Sequence, residues 1–388
     1  MRRSRAAQLA AGVAMAAGVL AVPLMLETRL AKPERETDDS WQRLPIRPRG
    51  QTLLGFSFRP HQVKAFGLDA QATLKALLAH PFDLVRLPAY WNQIETEPGR
   101  FDTGDLDRQL EAVERAGKQV ILGLGAVKNF GYPEFFAPDH QLGGPLPEGS
   151  LVRASTHAAL LAGATSFIRR LVERYRDRTS IVAWQLEHEA VDPLGVEHSW
   201  RLGVDFVQRE LDEIREADPS RPVMMNGFLP TSSLVRLSQW WRTRDQGDSL
   251  EVASRLADIV GIDYYPRHGL LAVGKRTLYL DSGRLAWQTA LTRNLLGDIR
   301  RKGKRLMVSE GQAEPWEVVT VPPSPERHAM FSCRPGDAIR NYNTAMEWSA
   351  PEAPLYAYLF WGAEYWVLRD RSGDPTYMQA ISRILAEA

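Results

Sequence analysis

The chain has 388 residues, 44% hydrophobic and 24% charged, the balance of a globular protein and not of a disordered, collagen-like or polytopic membrane chain. Lys and Arg number 48 against 47 Asp and Glu, so a formal charge of +1 leaves no basic footprint for nucleic acid. One cysteine, Cys333, excludes an intrachain disulfide and a Cys-based metal site.

Residues 1–5 read MRRSR, and residues 6–26 read AAQLAAGVAMAAGVLAVPLML without a charge. A basic head before an apolar run is an export signal. Two outcomes are open. Cleavage after the small residues around Val19-Leu20-Ala21 releases a secreted protein. Retention leaves an anchor, since about 20 apolar residues span a bilayer and Arg2, Arg3 and Arg5 hold the N-terminus inside. Either places the protein outside the cytoplasm, secreted or held at the membrane. Residues 27–50, rich in Arg, Glu, Asp and Pro, read as an exposed linker. Residues 51–388 read as one folded domain.

Eight short apolar runs recur in that domain: LLGFSF (53–58), FDLVRLP (82–88), QVILGLG (119–125), IVAWQL (181–186), PVMMN (222–226), DIVGIDYY (258–265), RLMVSE (305–310) and LYAYLF (355–360). Between them lie stretches such as LDRQLEAVERAG, TSFIRRLVERYRD and VDFVQRELDEIREAD, with apolar positions three and four apart. Runs that do not alternate suit parallel strands covered on both faces. Eight strand–helix units predict a single (β/α)8 barrel. A doubly wound sheet would open on a glycine-rich phosphate loop, and Gly50 to Phe58 holds no GxGxxG.

In such a barrel, reactive side chains stand at the C-terminal ends of strands. Those ends carry Arg86, Tyr90 and Trp91 after the second strand, and Glu187, His188 and Glu189 after the fourth. The sixth ends in Asp263, Tyr264 and Tyr265, the seventh in Glu310, Gln312 and Trp316, and the eighth in Trp361, Glu364 and Trp366. Carboxylates after strands four and seven face each other across the ring, with aromatics on the same rim. Glycosidic cleavage uses such a pair: an acid protonates the leaving oxygen while a carboxylate attacks the anomeric carbon or activates water. Unequal environments keep one protonated and the other ionised. Arg86 and a hydrogen bond from Tyr265 favour an ionised Glu310. By two-residue alternation Glu187 and Glu189 share one strand face, which leaves either as the acid.

At these residues the chain resembles the retaining glycoside hydrolases of clan A, with phrases closest to the family 42 β-galactosidases and to family 5-like enzymes. VRLPAYWNQIETEPGRFDTGDLDRQLEAVERAGKQVILGLG looks like the second-to-third-strand region of that clan. IVAWQLEHEA is similar to the signature W-Q-x-x-N-E, DIVGIDYYP to the sixth-strand phrase, RLMVSEGQAEPW to the nucleophile segment and YLFWGAEYW to the eighth-strand tryptophan. The resemblance spans nearly all of residues 51–388. It implies Glu189 as acid/base, Glu310 as nucleophile, Tyr265 as its hydrogen-bonding neighbour and Arg86 as a supporting cation. Trp361 becomes the platform under the sugar, and Trp91 and His188 join the substrate site. His188 departs from the pattern, which has Asn there to bond the sugar 2-OH. The third strand's GAVKNFGYPEFF also lacks the His that some clan families have.

No cofactor is implied. His188, His198, Glu187, Glu189 and Asp192 lack the HExxH spacing of a zinc site, so no metal is expected either. The implied activity is an exported retaining O-glycosidase acting on an oligosaccharide or polysaccharide. A non-catalytic carbohydrate-binding barrel and an envelope transglycosylase are the alternatives. The long connections Asn129–Ser155 and Gln312–Ala350 are expected to shape specificity, the second as a lid.

Overall fold

The computed structural model describes residues 25–31, 39–193, 200–273, 276–281, 285–317 and 332–388. Eight parallel strands close into a barrel: β1 (Leu53–Ser57), β2 (Leu84–Pro88), β3 (Gln119–Gly123), β4 (Ile181–Gln185), β5 (Val223–Phe228), β6 (Ile259–Tyr264), β7 (Arg305–Gln312) and β8 (Ala357–Trp361). All eight apolar runs are barrel strands. Their order around the ring is their order in the chain, with β8 pairing β1 and β7.

The lumen is packed, not open. Leu84, Ile121, Ala183, Met224, Ile259 and Met307 from six successive strands meet Leu359 of β8 in one buried layer. Outside the ring, helices cover the strands through apolar stripes. Helix Val204–Ala217 buries Phe206, Val207, Leu211 and Ile214, the three-and-four spacing read from its sequence, and Glu210 lies in the same stripe.

β7 is irregular where it matters. Its register slips between Val308 and Glu310 against β6, and between Val308 and Gly311 against β8. Such a bulge inserts an unpaired residue and re-aims the next side chain, here Glu310. A Cβ on Gly311 would stand 2.2 Å from the Tyr358 ring, so only glycine lets the bulge pack against β8.

The described part of the segment 27–50 is not a free linker. Thr28–Ala31 is a strand, antiparallel to Arg276–Asp281, which also pairs Arg267–Val273. Trp41 is buried in the main core, and Arg383 of the last helix donates to the carbonyls of Trp41 and Leu44. Apolar and hydrogen-bonding residues scattered among the charges hold the segment down, where composition alone suggests a tether. Among the described residues no helix is long and apolar enough to cross a membrane. Residues 1–24, most of the expected signal or anchor, lie outside the described residues, as do His198 and residues 318–331 of the expected lid.

Candidate active site

The C-terminal ends of β2, β4, β6 and β7 converge on Glu310. Arg86 Nη1 donates to its Oε1 at 2.9 Å, and the Tyr265 hydroxyl donates to its Oε2 at 2.7 Å. Both partners are buried, Arg86 completely. Burial pushes the Glu310 carboxyl up from its ordinary range, and Arg86 and the Tyr265 hydrogen bond pull against it.

Strand β4 stops at Gln185, so the expected alternation of Glu187 and Glu189 along one strand face does not occur. Both residues instead take left-handed backbone conformations, with φ of 47° and 43°. Each such non-glycine residue costs on the order of 1–3 kcal/mol and persists only where its surroundings over-determine it. Glu187 is held by the loop after β3, its carboxylate accepting from the backbone N–H groups of Val127 and Lys128. The buried Lys128 ammonium donates to the carbonyls of Glu189 (2.7 Å) and Asp192 (3.2 Å), which fixes the turn from the other side. Glu187 is therefore the structural partner. Glu189 sits among acids: burial first, then Asp263, Asp192, Glu134 and Glu310, push its carboxyl well above the usual range. These surroundings favour its protonated form.

His188, between the two glutamates, is buried and neutral, because burial and then Arg86 and Lys128 drive its pKa well down. A chain of hydrogen bonds sets its tautomer. Arg86 has only donors, and its Nε donates to Gln185 Oε1 at 2.6 Å. Gln185 Nε2 then donates to Asn226 Oδ1 at 3.2 Å, and Asn226 Nδ2 donates to His188 Nδ1 at 2.9 Å. With Nδ1 accepting, the single imidazole proton lies on Nε2.

Asp263 accepts from Ser309 Oγ at 2.7 Å and from Asn226 Nδ2 at 2.5 Å, and burial beside Glu310 pushes its carboxyl well up. His188, Asp263 and Glu310 offer ligand atoms within 4.8 Å of one another. The guanidinium of Arg86 already supplies the positive charge at this point. Phe130, Tyr265 and Trp361 form an aromatic cluster above it, with Tyr132 and Phe228 against them. Arg59 stacks on the Trp361 ring at 4.2 Å and is clamped by Glu314 and Glu364.

Glu189, Glu310, Arg86, His188, Tyr265 and Trp361 all lie on this face of the barrel, as read from the sequence. Trp91 is a correction. Its indole stacks on Phe167 at 5.4 Å and donates to Glu95, so it packs β2 against helix Ala158–Tyr175. An indole beginning a helical turn right after a strand faces the helical layer when the preceding residue, Tyr90, takes the inner position. Asn226, Lys128 and the Arg59 clamp were not singled out from sequence. Asn226 has a legible signal, an amide ending the apolar run of β5. A groove of about 980 Å³ lies elsewhere, on the outer wall among helices Ser233–Thr243, Ser249–Leu256 and Ala286–Arg301.

Residues 60–199 match the family model for the family 42 glycoside hydrolases, described as β-galactosidase. That match covers the stretch holding β2, β3 and β4, about a third of the chain. Solved structures with the same fold include a GH5_18 protein from Streptomyces cattleya in complex with GlcNAc, at 14% identity and a TM-score of 0.54, over 89% of this chain and 82% of that one. Xylanase 10B from Thermotoga petrophila in complex with xylobiose gives 14% identity and 0.52, over 87% and 94%. The exo-β-1,4-mannosidase Op5Man5 from an Opitutaceae bacterium gives 13% and 0.52, over 89% and 62%. No curated protein matches the chain. The part of the chain that matches the family model carries Arg86, Gln185, His188 and Glu189, while Glu310 and Trp361 lie beyond it.

Proposed function

We propose that the chain is an exported glycoside hydrolase that cleaves O-glycosidic bonds of an oligosaccharide or polysaccharide with retention, by double displacement. The observation that carries this reading is the unequal treatment of two carboxyls on one barrel face. Glu310 is braced by Arg86 and Tyr265, which favour the ionised form, while Glu189 is surrounded by acids that favour the protonated one.

In the first step Glu310 attacks the anomeric carbon as Glu189 gives its proton to the departing glycosidic oxygen. In the second, Glu189, now a carboxylate, takes a proton from water as that water displaces Glu310. Arg86 and Tyr265 hold the Glu310 oxygens in place and share the negative charge that returns to them on release. His188 supplies an Nε2–H donor where the clan pattern has an amide, directed at the sugar 2-OH. Trp361, backed by Arg59, offers a flat surface to the sugar's apolar face. Export rests on the MRRSR head and the uncharged run that follows it.

The test is intact-protein mass after exposure to a panel of 2-deoxy-2-fluoro glycosyl fluorides. A retaining enzyme holds a covalent glycosyl adduct, and digestion locates it on Glu310. An adduct on another residue overturns the nucleophile assignment, and inversion of the anomeric product of a turned-over glycoside overturns double displacement.

A further inference from the structure

Among the described residues, every exposed large apolar side chain lies on four segments of one side of the barrel: residues 25–31, helix Ser233–Thr243, strand Arg267–Val273 and helix Ala286–Arg301. These segments are tied together. The buried Glu27 carboxylate accepts from Ser232 Oγ (2.8 Å), from the Ser233 backbone N–H and from Gln288 Nε2 (2.8 Å). That pins the N-terminal segment to the first turns of both helices. Across the outer three-stranded sheet, Leu30 stands opposite Leu278, and Leu278 opposite Leu271. Leu30 and Leu271 are exposed at 49% and 61%. On the helices, Leu237 shares a face with Trp240 and Trp241, and Trp287 with Leu291, by three- and four-residue spacing.

A clustered apolar surface of this kind marks an interaction site. We infer that this face seats on an anionic lipid bilayer. Three observations select that occupant. The uncharged run 6–26 ends on the patch: Met25 and Leu26 are its last residues and are exposed there at 77% and 59%. Three of the exposed side chains are tryptophans, the residue that prefers the lipid–water interface. The charge is one-sided. Residues 25–31, 233–243, 267–273, 276–281 and 286–301 carry eight Arg against three acids, in a chain that is otherwise balanced. All three of those acids are engaged, Glu27 as above, Asp281 by the buried Arg267 and Asp298 by Arg301. Arginines beside an apolar face meet lipid phosphates, each contributing attraction at short range.

The patch borders the catalytic rim. Helix Ser233–Thr243 follows the end of β5, and strand Arg267–Val273 begins two residues after Tyr265, which bonds Glu310. A chain seated on this face holds its carboxylates near the headgroups. The inference stands on the surface alone and is independent of the glycosidase reading.

The test uses the full chain with vesicles of phosphatidylcholine, with and without phosphatidylglycerol, whose acyl chains carry bromine near the interface. Bromine quenches tryptophan only on contact. The expected result is quenching that is stronger with the anionic vesicles and is largely lost in W240S/W241S/W287S, with circular dichroism unchanged. Leu291→Glu, a single exposed position, should weaken it independently. Quenching that the triple variant retains, or that neither vesicle produces, overturns the inference. A lipid-free dimer that the triple variant dissociates assigns the face to a second copy and overturns it equally.

Discussion

Asn226 Nδ2 lies 2.9 Å from His188 Nδ1, and the orientation of that amide is inherited from Arg86 through Gln185. A cation that can only donate thus determines, two amides away, which nitrogen of a neutral imidazole carries its proton. His188, standing where the clan pattern that the chain resembles has Asn, keeps a donor in the site.

His188→Ala should therefore cost catalysis through the sugar 2-OH. Such contacts strengthen in the transition state, and loss of one worth about 2 kcal/mol lowers kcat/KM by roughly 30-fold. The same variant should lose far less on a 2-deoxy glycoside, which has no hydroxyl to bond. Equal losses on both substrates would mean that His188 serves only to pack Arg86 and Asn226.

Tyr265→Phe isolates one of the two groups bracing Glu310 while keeping the ring in the aromatic cluster. The hydroxyl pulls the Glu310 carboxyl down against burial. Without it that carboxyl ionises at higher pH, so the acidic limb of kcat/KM should move upward. Arg86→Gln should move it further, because a full charge is lost as well as a hydrogen bond. The limb reports the coupled cluster of Glu310, Asp263 and Glu189 and not a single residue. A pH–rate profile checks the order of the two shifts, and a downward move in either variant would contradict the bracing role.

The barrel was legible because its eight strands are mainly apolar runs without strict alternation, a pattern that burial on both faces demands. The carboxylates were legible because strand ends are where the fold exposes polar groups. Backbone departures hid the rest. Alternation assigned Glu187 and Glu189 to one face, but both sit beyond the end of β4 with positive φ, and what holds them there is Lys128, distant in sequence. Trp91 failed for a related reason: an aromatic after a strand can turn outward to Phe167 as easily as inward. Glu27 and Trp41 show that a charged, proline-bearing composition does not prevent a segment from docking through a few buried side chains.

Glu189→Gln should separate the acid role from the base role. With natural glycosides the loss should be on the order of 10²–10⁴-fold, the range for a positioned acid or base. Dinitrophenyl glycosides leave without a proton, so their first step should be nearly unaffected and a glycosyl-enzyme should accumulate. Azide, which needs no base, should then restore turnover and give a glycosyl azide of retained configuration. If azide has no effect and poor and good leaving groups suffer alike, Glu189 is not the acid/base.

Glu210 gives a prediction about stability. It lies in the apolar stripe of helix Val204–Ala217 facing Glu187, and burial pushes both carboxyls up, Glu210 further because it also faces the Glu187 charge. The folded state therefore holds a proton that the unfolded chain releases. Its contribution to stability is complete below the ordinary glutamate range and is lost as pH rises toward the folded value, at about 1.4 kcal/mol per pH unit for one proton. Glu210→Gln keeps the shape and an N–H donor for Glu187 but cannot ionise. Its Tm should match the parent in mild acid and exceed it increasingly toward neutral and alkaline pH. A Tm difference that is constant with pH would show that Glu187 and Glu210 do not share a proton in the fold.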